Sequence, residues 1–439
     1  MRSSKTNFLI FLIASFSMTQ VRIIGSIGVS ELIIFLVAPF VYIQDLPMLR
    51  RHGFSTAINL AWLACLGCVI SSIYNHTYLL NALRGVAACY ALVAIPVVLH
   101  RLLWNNLDGF KWFILGVCVS GILTLFGMRT GVEEAMVERL GDATESELYF
   151  GRHFASFFTL PLYIFYFKTP TIIAVLCAMF PSVLTIATTS TGRSQIMTSF
   201  AGILLVLFIN KKVINMERVK RCFWILAIGG LCFVSLLAAA YKVAAKSGVL
   251  NEKAQKKYES QQGDSKGGAL SLIMHGRSEF FIALFACCDE PIFGFGPWPV
   301  DRRGYTTDFL AKYGDSEAYE NLLEHRKNLN ALGITEFLLP GHSHLMTHWL
   351  CYGILGLPYW IYILYLMFKV MRKHLSAIPQ WCGYFVMAIP GSIWNVFFSP
   401  LSGRVETSFF IVCLLLAIAV GEGRIALSVK MQREANGHI

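Results

Sequence analysis

The sequence has 439 residues, of which 56% are hydrophobic and only 14% are charged, with a formal net charge of +11. A soluble domain carries about 25% charged residues, so this chain lacks the polar surface of a water-soluble protein. The excess of Lys and Arg is typical of loops beside anionic headgroups, and no motif indicates a nucleic-acid partner.

Apolar runs of about 17–25 residues, each able to cross a ~30 Å hydrocarbon core, predict an all-α polytopic membrane protein. The first run follows a basic MRSSK segment, as a signal peptide would. No small-residue cleavage site follows it, so we expect a retained first span. In chain order we predict about twelve transmembrane helices, at 7–21, 27–43, 57–73, 85–103, 111–127, 154–168, 171–188, 194–210, 222–240, 343–369, 381–398 and 405–423.

The distribution of Lys and Arg supports this count. With a cytoplasmic N-terminus, the basic clusters of the short loops all fall on the cytoplasmic side, which predicts that both termini are cytoplasmic. These clusters are Arg50-Arg51, Arg101 to Lys111, Lys168, Lys211 to Arg221, Lys369 to Lys373 and the tail from Arg424. The predicted organisation is helices 1–9 in residues 1–240, a large outer loop in 241–341, helices 10–12 in 342–424 and a cytoplasmic tail in 425–439.

The large outer loop has predicted structure of its own. Leu270 to Cys288 has the apolar spacing of an amphipathic helix, and Ser316 to Ala331 indicates a second, mostly polar helix. Helices of this kind can rest on a membrane surface and cover a cavity. The predicted spans hold almost no ionisable residues away from their ends, and the two halves show no matching broken helices, which disfavours an ion-coupled transporter or flippase.

Most of the twelve cysteines lie inside apolar runs, where Cys behaves as a small hydrophobe. Cys65 and Cys68 form a C-x-x-C in the middle of a span, where a redox thiol would have no access. The pair Cys287-Cys288 lies in a polar region, so the sequence does not decide between a structural and a redox role for it.

Polar groups cluster at the outer boundary of the predicted membrane. Arg193, in ATTSTGRSQ, lies in a short outer loop of the kind that avoids Lys and Arg. It is either an interfacial arginine or an anion clamp assisted by neighbouring hydroxyls such as that of Ser194. Arg277, in MHGRSEFF, either pairs with Glu279 or another loop acid, or binds an anion.

Three histidines lie in GHSHLMTHWLCYGILGL, which starts at Gly341. His344 and His348 have a zinc-like spacing, but HLMTH lacks the Glu of H-E-x-x-H and no third ligand is evident, so we predict no metal. His342 follows Pro340-Gly341 at the start of the tenth span and is the preferred polar candidate. Further outer-loop candidates are Trp298, Arg302, Arg303 and Tyr305. Their side chains either contact the substrate, as when Trp and Tyr rings stack on sugars, or have a structural role.

These motifs together resemble the O-antigen polymerase and O-antigen ligase superfamily, membrane glycosyltransferases of the GT-C type. The matching segments are STGRS around Arg193, GRSEFF followed by EPIFGFG, and His342-Ser343 followed by Gly353 and Gly356. Phe281 stands where the family usually has Trp four residues after the G-R arginine, and the first half of the chain carries no matching motif.

The resemblance implies a bacterial inner-membrane enzyme that uses glycan on undecaprenyl diphosphate at the periplasmic face, without a cofactor. Arg193 and Arg277 would hold the diphosphate, and His342 would act as the base toward an acceptor hydroxyl, a task that suits an imidazole. The other substrate contacts expected are Ser194, Ser343, His344, Trp298, Arg302 and Arg303.

The resemblance also implies partners, namely membrane lipids and a chain-length regulator protein. A polymerase of O-antigen, capsule or exopolysaccharide is favoured, because ligases more often have His-Asn where this chain has His342-Ser343 and because the first half of the chain is so divergent. The alternatives are a ligase that transfers glycan to lipid A-core, a protein-glycosylating enzyme, and a lipid-linked glycan flippase.

Overall fold

The computed structural model of the chain describes residues 2–17, 19–22, 26–125, 277–313, 320, 323, 338–375, 377–399 and 403–425. These residues are predominantly helical. The elements before the gap are α1 (Arg2–Ser15), β1 (Gln20–Arg22), β2 (Ser26–Gly28), α2 (Val29–Arg51), α3 (Ser55–Tyr74), α4 (Leu79–Leu103) and α5 (Gly109–Leu125). Those after it are α6 (Ser278–Asp289), α7 (Tyr305–Tyr313), α8 (His344–Tyr352), a 3-10 turn (Gly353–Gly356), α9 (Leu357–Lys369), a π turn (Val370–His374), α10 (Pro379–Phe398) and α11 (Arg404–Gly421).

Five helical segments of the described part are long and apolar enough to cross a membrane, namely Val29–Arg51, Ser55–Tyr74, Leu79–Leu103, His344–His374 and Arg404–Gly421. Two shorter apolar helices are Gly109–Ser120 and Ala388–Phe398. The chain is therefore a mostly helical membrane protein, which confirms the predicted class in its coarser form. The predicted spans 154–168, 171–188, 194–210 and 222–240 lie outside the described residues, so the count of twelve stays a prediction.

The first predicted span, 7–21, differs from the observed structure. α1 ends at Ser15 after 14 residues, a rise of about 21 Å, which is shorter than the hydrocarbon core. The Ser15 hydroxyl donates to the carbonyl of Phe11 at 2.8 Å, and the chain then enters a hairpin in which Gln20 pairs with Gly28. Polar residues after Ser15 therefore end the helix earlier than the apolar run suggested.

The helices alternate between two ends of the bundle. At one, here called the basic end, the carboxyl termini of α2 and α4 meet through His52 Nδ1 and His100 Nε2, 2.9 Å apart. At the same end, Lys369 Nζ at the end of α9 lies 2.7 Å from a carboxylate oxygen of Glu422, which follows α11 and also pairs with Arg424. Lys369 and Arg424, both predicted to be cytoplasmic, therefore lie together, and the side of the membrane that they face stays a prediction.

The opposite end is here called the site end, and it carries the described part of the large loop. α6 begins at Ser278, inside the predicted helix Leu270 to Cys288, whose first residues lie outside the described part. α7 was not predicted, because its sequence YTTDFLAKY is short and mixed in polarity. The predicted helix Ser316 to Ala331 lies almost entirely outside the described residues.

A buried ion pair joins the amino ends of α2 and α11. Arg404 Nε donates to Glu31 Oε1 at 2.9 Å, and Glu31 Oε2 accepts from the backbone N–H of Gly28 at 3.1 Å. The Glu31 side chain is only 5% exposed. Arg404→Ala should therefore lower the free energy of unfolding by about 3–5 kcal/mol, because it leaves a buried carboxylate without its partner.

A thermal melt in detergent checks this expectation. The double variant Glu31→Gln/Arg404→Ala should recover part of the loss, because it no longer buries a lone charge. An Arg404→Ala protein that melts with the wild type would contradict the stabilising role of the pair.

Candidate functional site

Three segments converge at the site end of the bundle. The Ser343 hydroxyl caps α8 by accepting from the Met346 backbone N–H at 3.0 Å, and it donates to the Val396 carbonyl near the end of α10 at 2.9 Å. Arg277, the residue before α6, donates from Nη1 to the Phe398 carbonyl at 3.5 Å. The start of α6, the start of α8 and the end of α10 therefore form one corner of the molecule.

Arg277 rests on aromatic rings of α10. The guanidinium carbon lies 4.7 Å from the ring centroid of Trp394 and 5.7 Å from that of Phe398. Burial lowers the pKa of Arg277 below its usual value, and the nearby Glu279 carboxylate offsets only part of this shift. A partly desolvated guanidinium of this kind binds an anion more strongly than one in open water, because less of its charge is screened.

His342 lies opposite the first turn of α6. Its Nδ1 atom is 3.0 Å from Oε2 of Glu279, with the two side chains 33% and 46% exposed. The structure thus brings His342 and Arg277, far apart in the sequence, to the same corner, where Glu279 follows Arg277 by two residues and contacts His342. The exposure matters because a base must be accessible to the hydroxyl that it deprotonates.

The other two histidines of the opening motif are buried in α8. His348 Nδ1 donates to the carbonyl of His344 at 2.8 Å. Trp360 lies against both rings, with centroid distances of 4.7 Å to His344 and 5.3 Å to His348. No group of three or more His, Cys, Asp or Glu side chains within the described part of the chain could hold a metal ion.

The glycine motifs of the resemblance join the loop to the helix break after α8. The backbone N–H of Phe295 donates to the Leu350 carbonyl at 2.7 Å, and that of Ile354 donates to the Ile292 carbonyl at 3.1 Å. Gly353 has φ 64° and ψ −159°, a conformation that is essentially restricted to glycine. EPIFGFG and G-x-x-G therefore have a structural role, since they fix α6 relative to α8.

Gly353→Ala should destabilise the protein, because an added Cβ would overlap the carbonyl oxygen of Ile292. Backbone strain alone should lower the free energy of unfolding by about 1–3 kcal/mol. Gly391→Ala is the matched control, because a Cβ there meets nothing within 4 Å and the residue lies inside α10. Thermal melts in detergent should separate the two variants, and equal melting temperatures would argue against this role of Gly353.

The remaining loop candidates lie on the surface of the described part. Arg303 pairs with Glu290 at 2.8 Å and with Asp289 at 3.6 Å, both at the end of α6. Arg302 is exposed, and Trp298 is 43% exposed with a φ of 54°. Arg303 thus has structural partners of its own, whereas Trp298 presents an aromatic surface to its surroundings.

Several predicted features lie elsewhere. Arg193 and Ser194 are outside the described residues, so their position relative to Arg277 stays a prediction. Cys65 and Cys68 are buried together with Cys89, in agreement with the lack of access expected for a redox pair. Cys287 is buried and Cys288 is exposed.

Sequence reasoning missed three residues of this region. Glu279 was considered only as a partner of Arg277, yet it contacts His342, and Trp394 was not considered. Arg84, whose guanidinium carbon lies 5.8 Å from the ring centroid of Trp298, was also missed. An arginine near the outer end of a predicted span, as in the case of Arg193, is the signal that could have identified Arg84.

A scan against models of known protein families found no match to this chain, and a search of curated proteins found none either. The functional assignment consequently depends on the motifs and on the geometry of Arg277, Glu279 and His342.

Proposed function

We propose that the chain is a GT-C type glycosyltransferase that polymerises oligosaccharide repeat units linked to undecaprenyl diphosphate. The observation that carries this proposal is the placement of Arg277 and His342 at one corner, where Glu279, two residues after Arg277, contacts His342. An anion-binding cation beside an accessible base is the pair of groups needed to break a sugar–diphosphate bond and activate a hydroxyl. The product is an O-antigen, capsule or exopolysaccharide.

Arg277 binds the diphosphate of the donor and offsets the charge that builds on it as the anomeric C–O bond breaks. Arg193 is proposed as the second cation for the same diphosphate. His342 removes the proton of the acceptor hydroxyl as its oxygen attacks the anomeric carbon. With two arginines in this electrostatic role, the reaction requires no metal ion or cofactor.

The site end is proposed to face the periplasm of a bacterial inner membrane. The carrier lipid would approach from the outer leaflet, beside the aromatic residues of α10 that hold Arg277. A chain-length regulator protein is the expected protein partner.

The choice between polymerase and ligase depends less on Ser343 than the sequence suggested. Its hydroxyl caps α8 and donates to Val396, and Asn is as good a residue at a helix N-cap. The preference for a polymerase consequently rests on the divergence of the first half of the chain.

Deletion of the gene in its native cell tests the proposal. For an O-antigen pathway, loss of a polymerase should leave lipid A-core carrying single repeat units, and a plasmid copy should restore the long chains. Loss of a ligase would leave lipid A-core bare while long chains persist on the carrier lipid. Loss of a flippase would instead trap unpolymerised units on the cytoplasmic side, and either of these results would overturn the polymerase assignment.

A further inference from the structure

Glu279 places a carboxylate beside the ring of His342, the proposed base. It belongs to the first turn of α6, two residues after Arg277, and its carboxylate contacts the imidazole of His342 from across the corner. We propose that Glu279 is a positioning residue for glycosyl transfer, which orients the ring of His342 and stabilises the imidazolium that forms during the reaction. This inference rests on the proposed function.

The contact determines which ring nitrogen reacts. The atom that faces Glu279 Oε2 at 3.0 Å is Nδ1 of His342. The two atoms are within ion-pair distance but are not aligned as a hydrogen bond in this structure. The negative charge beside Nδ1 still favours the tautomer with its proton on Nδ1, and so leaves the lone pair on Nε2 for the acceptor hydroxyl. Without the carboxylate the ring would rotate and exchange tautomers, which reduces the fraction of productive encounters.

The proposed step involves the acceptor hydroxyl, the donor diphosphate, His342 and Arg277, and it needs no further reactant. The acceptor oxygen forms a bond to the anomeric carbon while its proton moves to Nε2 of His342. The bond from that carbon to the diphosphate oxygen breaks, and its electron pair leaves with the diphosphate, which Arg277 binds. The imidazolium, stabilised by Glu279, then releases its proton to water.

Glu279 is a positioning residue because its carboxylate faces the imidazole of His342 at 3.0 Å. Glu279 stands two residues after Arg277, in the first turn of α6. Its role is therefore to act through His342.

Kinetics of Glu279 variants test the proposal with purified protein and a lipid-diphosphate glycan. Glu279→Ala should lower kcat about 10–100-fold, the usual effect of removing the partner of a functional histidine, with KM for the donor unchanged. Glu279→Gln keeps an oxygen that can accept from Nδ1–H, so it should lose less than Glu279→Ala. If Glu279→Ala does not fold, the near-isosteric Gln variant carries the test, with a small fall in kcat expected at unchanged KM.

A double-variant cycle then separates positioning from an independent role. If Glu279 acts only through His342, Glu279→Ala/His342→Ala should be no slower than His342→Ala alone, within about twofold. Losses that multiply would overturn the proposal, as would Glu279 variants with the kcat of the wild type or with only a raised KM.

The controls distinguish this inference from the proposed function. Asp108→Asn changes an exposed carboxylate that pairs with Lys111 outside the site, and it should leave kcat unchanged. A protein in which His342→Ala is slow but Glu279 variants are normal would overturn the positioning role alone. A protein in which His342→Ala keeps the wild-type rate would overturn the proposed function itself.

Discussion

His342→Ala should reduce the rate of glycan extension by about 10²–10⁴-fold, the usual contribution of a general base. The physical reason is that the acceptor hydroxyl would have to lose its proton without a base beside it. The measurement is the length distribution of the glycan on a gel, together with the initial rate of purified protein. KM for the lipid-linked donor should change little, since Arg277, the proposed ligand of the diphosphate, is unchanged.

His76→Asn provides the matched control for this histidine. His76 is exposed in the turn between α3 and α4 and has a φ of 50°, a conformation that Asn tolerates. Long glycan chains should form with His76→Asn at normal levels. Normal chains with His342→Ala would instead remove His342 from the mechanism.

Arg277→Ala should lower the rate of transfer by about 10²–10³-fold, by analogy with the removal of one group that stabilises transition-state charge. It should also raise KM for the donor, because the diphosphate loses a binding cation. Arg277→Lys should have an intermediate effect, since an ammonium keeps the charge but cannot form the planar fork. Initial rates over a range of donor concentrations separate the two parameters.

Lys111→Ala is the control, because Lys111 is an exposed cation outside the site that pairs with Asp108. Its rate and KM should match those of the wild type. Transfer at the wild-type rate by Arg277→Ala, in protein that melts normally, would show that the guanidinium is bound to the α10 rings for stability alone.

Hydropathy was sufficient to locate the five long apolar helices of the described part, because a membrane span is a long, continuous apolar segment. Hydropathy misplaced the end of a helix where a residue from another helix neutralises a charge within it. α2 was predicted to end at 43, yet it continues to Arg51 and includes Asp45, which pairs with Arg101 of α4. The polar residue that ended the apolar run is thus accommodated inside the helix by a residue from another one.

The candidate site was predictable in its residues but not in its connections. Arg277 and His342 were selected because each is a polar residue at the predicted outer boundary and belongs to a motif of the resemblance. Glu279 could not be assigned to His342, since the sequence does not indicate that α6 and α8 meet at their first turns. The need for glycine at position 353 was equally hidden in the sequence. A side chain there would collide with the carbonyl of Ile292, a loop residue far from it in the sequence.

We propose that this protein forms glycosidic bonds between lipid-diphosphate glycans through Arg277 and His342. The most direct measurement is incubation of purified protein with undecaprenyl-diphosphate-linked repeat units in the presence of EDTA. We predict a ladder of longer carrier-linked glycans, which is absent with His342→Ala and Arg277→Ala. Repeat units that stay single with the wild-type protein, or a ladder that both variants still produce, would contradict the account.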